Sequence, residues 1–177
     1  MIYLHRGIVL RAPSPYRSAV VLLDEHYGKI EALASSFTKG PSLCHGALLS
    51  YVPQKRHIKY MLAQQTLLEM PLEWARQDFL FFHHVLELCA YFLPFEEPSN
   101  EVFQLVSVLY EEPGAFQSRA AQKTFLYQLF TCFGMYPDVT TSSLGGWFRG
   151  YLATQLQAES LRAASFLKVL DRYEDCS

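Results

Sequence analysis

Metal chemistry needs ligand side chains that converge, and the chain offers one candidate group, formed by His83, His84 and Cys89. The step of five residues from His84 to Cys89 fits one face of a helix poorly, and no HExxH pattern occurs. Polar side chains on a largely packed helix account for these residues more simply. We therefore expect no bound metal ion.

Covalent catalysis has little support either. The acidic pairs Glu96-Glu97 and Glu111-Glu112 each lie beside a proline at a predicted helix end, where solvated charge is expected. No serine has a GxSxG setting, and Gly145-Gly146 belongs to neither a phosphate-binding loop nor a dinucleotide fingerprint. The sequence predicts a protein that is not an enzyme and needs no cofactor.

Cysteine usage and hydropathy bear on the compartment. The four cysteines form no CxxC pair, which is typical of reduced thiols in a cytoplasmic protein. The chain has no apolar run of about 18 residues, and its first residues do not resemble a signal peptide. We expect a cytoplasmic protein without a membrane segment.

Charge is divided unevenly along the 177 residues, although the net charge is only −2. Residues 1–70 contain eight basic and four acidic residues, a net charge of +4, and the remainder contains seven and thirteen, a net charge of −6. Basic residues on a small domain can follow phosphates, and aromatic residues such as Tyr16, Phe37, Tyr51 and Tyr60 can stack on bases. Alternatively, the cations only solubilise loops and the aromatic rings fill the core.

The elements that must position these side chains differ between the two halves. Five strands are predicted in the first half: Ile2–Arg11, Ser18–Asp24, Lys29–Phe37, Gly46–Val52 and Ile58–Leu68. The last two flank a polar tip at 53–57. Five short antiparallel strands favour a barrel of the OB type, and an SH3-like barrel fits almost as well.

Helical periodicity begins after Pro71. Helices are predicted at Glu73–Leu93, at Asn100–Glu111 with Ser99 as N-cap, and at Ala115–Phe133 with Gly134 as C-cap. One or two more helices are predicted between residues 144 and 170. The predicted fold class is α+β: an N-terminal OB-fold barrel at 1–71 followed by an all-helical domain at 72–177.

Several motifs occur in an order that resembles the RecO family of recombination mediators. In the barrel half these are GIVLR at Gly7–Arg11, HYGKIEALA at His26–Ala34 and HGALLSY at His45–Tyr51. In the helical half, LPFEEP at Leu93–Pro98 and FLYQLFTCFGMYPDV at Phe125–Val139 are similar to a helix break and a long helix of that family. The resemblance covers roughly residues 1–139.

The resemblance implies a DNA repair and recombination accessory protein. Members of the family bind single- and double-stranded DNA, anneal complementary strands and help to load a recombinase. They work with RecR and contact the acidic C-terminal tail of the single-stranded-DNA-binding protein. By this resemblance we expect the same activity, a RecR-like partner and a location on the bacterial nucleoid.

Site residues follow from charge and resemblance together. Arg11, Lys29 and Lys39 lie where the family has basic residues, and the full set predicted to contact DNA comprises Arg6, Arg11, Arg17, Lys29, Lys39, Lys55 and Arg56. For an acidic peptide ending in an aromatic residue, the predicted cations are Arg119 and Lys123, and the predicted pocket walls are Phe81, Phe82 and Phe130.

The chain departs from the family in two places. Many members carry a four-cysteine zinc site after the Pro-Asp turn, whereas this chain reads TTSSLGGWFRG from Thr140. A loop often rich in arginine reads FTKGPSLCHG here, with Lys39 and His45 as its basic groups. The departures support a second hypothesis, a protein-interaction adaptor that uses its helices and binds little DNA.

Overall fold

The computed structural model describes residues 3–13, 19–34, 43–57, 59–72, 74, 78–136 and 147. It contains five strands, three α-helices and a short 3₁₀-helix within these ranges. The strands are β1 (His5–Arg11), β2 (Ala19–Asp24), β3 (Gly28–Ala34), β4 (Leu48–Arg56) and β5 (Lys59–Glu69). The helices are α1 (Phe79–Phe92), α2 (Asn100–Glu111) and α3 (Arg119–Cys132), with the 3₁₀-helix at Pro113–Phe116.

The five strands close into a barrel in the order β1-β2-β3-β5-β4. All neighbouring strands are antiparallel except β3 and β5, which pair in parallel through Ala32 and Tyr60. Alternate residues of each strand point inward, so Val9, Leu22, Ile30 and Leu62 form the barrel core with Leu49, Tyr51 and Tyr60. The α+β class with a barrel is thus confirmed.

Contacts divide the chain into two compact units, residues 1–111 and 112–177. This division differs from the predicted boundary at residue 71, because α1 and α2 belong to the same unit as the barrel. The first unit contains nine basic and eleven acidic residues and the second contains six of each. The excess of acid that follows the barrel in sequence therefore lies within the barrel's own unit.

Helix ends explain where the observed elements differ from the predicted ones. Asp78 accepts a hydrogen bond from Phe81 N at 3.1 Å, so α1 begins at Phe79 and not at residue 73. Ser118 caps α3 in the same way through Ala121 N, which separates α3 from the preceding 3₁₀-helix. The Gly134 C-cap prediction agrees with a positive φ of 74° there.

The β4–β5 hairpin is longer than predicted. Residues 53–57 were expected to form a polar tip, whereas β4 continues through Arg56 because its backbone pairs with β5 as far as Lys59. Ser99 Oγ donates a hydrogen bond to Glu97 O. The helices predicted between 144 and 170 lie outside the described residues, apart from Trp147. None of the helices in the described ranges has the length and hydropathy needed to cross a membrane.

The turn between β2 and β3 requires glycine at position 28. Gly28 has a φ of +69°, and a Cβ built there would lie 1.8 Å from the carbonyl oxygen of Glu97. Both the left-handed backbone and the close approach exclude a side chain. We expect Gly28→Ala to lower the free energy of unfolding by at least about 2 kcal/mol, measured by urea denaturation.

Gly114→Ala is the matched control for Gly28→Ala. Its Cβ would meet no atom nearer than Gln117 Nε2 at 4.0 Å, and Gly114 has no positive φ. A loss of stability at Gly28 no larger than at Gly114 would contradict the role assigned to Gly28.

Candidate nucleic-acid interface

The exposed cations of the barrel concentrate at the tip of the β4–β5 hairpin. Arg56 and Lys59 are direct cross-strand partners, and Lys55 pairs with Tyr60 one step further from the tip. His57 begins the two-residue connection with a φ of 54°, the left-handed backbone that tight hairpin turns use. We call Lys55, Arg56, His57 and Lys59 the basic hairpin; all four are exposed.

Acidic side chains lie close to several of these cations. Lys55 Nζ is 3.0 Å from Glu96 Oε2, and this hydrogen bond raises the pKa of Lys55. Lys59 Nζ is 3.6 Å from Glu31 Oε1. Such exposed pairs contribute little to stability, so a phosphate can replace the carboxylate. The basic hairpin is therefore a cationic surface that is partly neutralised from within its own unit.

Arg6 and Arg11 are two further predicted contacts on β1. The Glu25 carboxylate accepts hydrogen bonds from both Arg6 N and Arg6 Nε, at 2.8 and 3.0 Å, so Arg6 helps to hold the β2–β3 turn. Arg11 and Arg56 are exposed and form no ion pair with any described residue. Within the described ranges, these two arginines are the predicted contacts that are exposed and form no ion pair.

Lys29 lies in the interior of the first unit, although it was predicted to contact DNA. It is 5% exposed, and its ammonium donates a 2.9 Å hydrogen bond to Ala90 O near the end of α1. Burial, together with the nearby Arg11, lowers the pKa of Lys29. The side chain supplies the positive charge that a helix C-terminus favours, since α1 has no basic residue in its last turn. Lys29 is therefore not part of an exposed surface.

The outer face of β2 and β3 is largely covered. All six residues of β2 are buried, including Val21 and Leu23, which do not belong to the barrel core. Lys29 lies directly opposite Leu23 on that face and reaches the C-terminal turn of α1. Most of the β2–β3 face is therefore closed to a ligand.

Two aromatic residues expected to stack on bases are in the barrel core instead. Tyr51 is 0% and Tyr60 is 6% exposed, because both point inward on the closed sheet. Tyr27 is 38% exposed and packs against Tyr60 at 5.4 Å between ring centroids. Lys55 Nζ lies 5.1 Å above the Tyr60 ring. Tyr27 is thus an aromatic ring that lies near the basic hairpin and is still accessible.

A buried carboxylate closes this end of the barrel. Asp24 is 0% exposed, and its oxygens accept hydrogen bonds from His26 N at 2.8 Å, from Tyr27 N at 2.7 Å and from Tyr51 OH. His5 Nδ1 lies 3.1 Å from the same carboxylate, and the His5 ring stacks on Tyr27. We call His5, Asp24, Tyr27, Tyr51 and Tyr60 the barrel-end network.

From sequence, Asp24 was predicted only as a negative charge at the end of the second strand. Its signal was its place before a turn that ends in Gly28, where an Asp side chain commonly accepts hydrogen bonds from the next backbone N–H groups. The contacts with His5 and Tyr51 join residues distant in sequence, so no local pattern indicates them. Asp24, His5 and Tyr51 are buried and joined by hydrogen bonds, which fits a structural role.

The candidate metal ligands do not converge. His84 is buried and its Nδ1 contacts Leu80 O, Cys89 is fully buried, and His83 packs against Phe79 and His45. Among the described residues, no three His, Cys, Asp or Glu side chains lie close enough together to hold a metal ion.

The residues predicted to bind a partner peptide are divided between the two units. Phe81 and Phe82 are 1% and 0% exposed in the first unit, and Phe130 is 0% exposed in the second. The three rings are core residues and present no open face. Arg119 is exposed and Lys123 is half-buried on α3.

Two predicted DNA contacts, Arg17 and Lys39, lie outside the described residues, as do Tyr16 and Phe37. Comparison of the sequence with models of known protein families finds no match. Comparison with curated proteins finds none either.

The barrel-end network predicts the effect of removing one hydroxyl. Tyr51→Phe leaves the buried Asp24 carboxylate with one donor fewer, so we expect the free energy of unfolding to fall by about 1.5–3 kcal/mol. Tyr3→Phe removes the same hydroxyl at a side chain that is 69% exposed and serves as control. Urea denaturation of both variants measures the difference, and equal stability would exclude Asp24 as a buried acceptor of the Tyr51 proton.

The contact between His45 and His83 predicts that the stability of the fold depends on pH. Burial and the neighbouring His83 lower the pKa of His45 from 6.5 to about 4. Between pH 4 and pH 6.5, His45 binds a proton more strongly in the unfolded chain than in the folded chain. The contribution of His45 to stability is therefore fully present above pH 6.5 and is lost as the pH falls toward 4.

The free energy of unfolding of the wild type should fall between pH 7 and pH 4.5, and we expect His45→Gln to reduce this fall by about 1 kcal/mol. The figure allows for the partial exposure of the ring. Urea denaturation of the wild type and the variant at pH 7 and pH 4.5 measures it. Identical pH dependence in both proteins would contradict a depressed His45 pKa.

Proposed function

We propose that the protein is a RecO-like DNA-binding accessory factor of repair and recombination that acts by binding and not by covalent catalysis. The basic hairpin is the observation that carries this proposal. It places three side-chain cations within five residues on an exposed turn. Phosphate contacts from such side chains supply most of the affinity for DNA and all of its sensitivity to salt.

The strand order supports an OB-fold as the barrel type. In that fold β1 pairs with both β2 and β4, and β3 runs parallel to β5. A parallel β3–β5 pair favours the OB type over an SH3-like barrel. OB-folds bind oligonucleotides with the loops that follow strands 1 and 4. The basic hairpin occupies the loop after β4, and Arg11 ends β1 where the loop after strand 1 begins.

A binding mode follows from these positions. Arg56 and Lys59 contact phosphates, and the exposed part of Tyr27 contacts an unpaired base. Neutralised backbones allow two strands to approach, which favours annealing. In the second unit, Arg119 and Lys123 on α3 are the cations that we propose for the acidic tail of the single-stranded-DNA-binding protein. A RecR-like partner and a place on the bacterial nucleoid complete the proposal.

A second candidate, the protein-interaction adaptor, is supported by charge neutralisation. Arg6, Lys55 and Lys59 each have a carboxylate partner, and Lys29 is buried. Most of the β2–β3 face, which many OB-folds use for nucleic acid, is buried. On this alternative the chain binds DNA weakly at any salt concentration.

Titration of a labelled single-stranded oligonucleotide at 50 mM and 200 mM salt, both chosen to bracket the salt response, separates the two candidates. We expect binding that weakens steeply with salt. Arg56→Glu should weaken binding about tenfold at low salt and lower the salt slope by about one, because one phosphate contact is lost. Arg11→Glu tests the other proposed loop in the same way.

Two control variants accompany Arg56→Glu. Glu97→Lys reverses a charge in the opposite direction near the basic hairpin, and Lys123→Glu makes the same change from positive to negative in the second unit. Lys123→Glu should leave oligonucleotide affinity unchanged. A flat salt response of the wild type, or no binding at low salt, would refute the direct DNA role and favour the adaptor.

A further inference from the structure

The segment between α1 and α2 is fixed against β3 by its backbone. We call Pro94–Pro98 the acidic strap. Phe95 forms a parallel bridge with Lys29, and Glu96 N donates a 2.8 Å hydrogen bond to Lys29 O. The Phe95 ring lies 4.4 Å from Lys29 Nζ. These contacts set the position of the strap without any contribution from the Glu96 side chain.

The Glu96 carboxylate reaches the basic hairpin from this fixed position. Its Oε2 lies 3.0 Å from Lys55 Nζ, and the two side chains are 44% and 53% exposed. Glu96 has a φ of 58°, in the left-handed region where a side chain is disfavoured. An unfavourable backbone conformation at a residue that bears charge on a proposed binding surface points to a functional role.

The neighbouring residue offers a contrast. Glu97 carries the same charge on the same strap, and its side chain forms no ion pair with any described residue. A general effect of negative charge near the hairpin should therefore appear equally at both positions, whereas an effect transmitted through Lys55 should appear only at Glu96.

We infer that the acidic strap is an autoinhibitory contact: the Glu96 carboxylate occupies the place of a phosphate on Lys55, and nucleic acid must displace it to bind. This inference rests on the proposed DNA-binding function. The exchange is feasible because an exposed ion pair is weak and both partners regain solvent or a new counterion. The strap thereby lowers affinity for all sequences alike, since a phosphate contact carries no sequence information.

The test compares Glu96→Gln, Glu97→Gln, Lys55→Gln and the double variant Glu96→Gln/Lys55→Gln in the full chain, with labelled single-stranded DNA over a range of salt concentrations. We expect Glu96→Gln to raise affinity about threefold to tenfold at low salt and to increase the salt slope by about one. Glu97→Gln should raise affinity less and leave the slope unchanged. In the Lys55→Gln background, Glu96→Gln should give no more than the gain of Glu97→Gln, because the cation that it frees is absent.

Each outcome decides the inference. Equal gains for Glu96→Gln and Glu97→Gln, or a gain from Glu96→Gln that persists without Lys55, would overturn the strap while leaving DNA binding intact. Absence of binding by the wild type and every variant would overturn the proposed function and the strap together. Circular dichroism of the four variants confirms that each is folded.

Discussion

A buried carboxylate organises the end of the barrel. Taking the charge of Asp24 out of water costs several kcal/mol unless donors surround it. The donors come from the β2–β3 turn and from Tyr51 on β4, with His5 on β1 beside them. Three separate parts of the barrel must therefore be in place at once. Closure of the barrel places Tyr51 and Tyr60 in the core, where they are not accessible to a ligand.

The β2–β3 turn fixes the positions of the acidic strap and of the end of α1. Gly28 lets the strap carbonyl of Glu97 approach, and Lys29 then bonds both the strap and the end of α1. These contacts join α1 to the barrel within one compact unit. They also bring Glu96 close to Lys55, so a carboxylate from the segment between the helices neutralises one of the cations of the barrel.

Local patterns predicted most of the architecture. All five strands were placed within a few residues, because alternating burial and turn residues are local signals. The observed bounds of α2 are those predicted from its apolar stripe. The start of α1 was placed too early, because Leu72, Trp74 and Ala75 are apolar residues that precede the cap residue Asp78 in sequence. The candidate site was harder: Arg56 and Lys55 are exposed as expected, whereas Lys29, Phe81, Phe82 and Phe130 are interior.

The sequence by itself determined a β-rich half followed by helices, a barrel with an excess of basic residues, and a concentration of cations near residue 56. These features follow from composition and period, which act over a few neighbouring residues. Only the tertiary structure decided which cations remain accessible, because ion pairs such as Lys55 with Glu96 join residues 41 positions apart. The net charge of each half is a sum along the chain, whereas affinity depends on which charges meet in space.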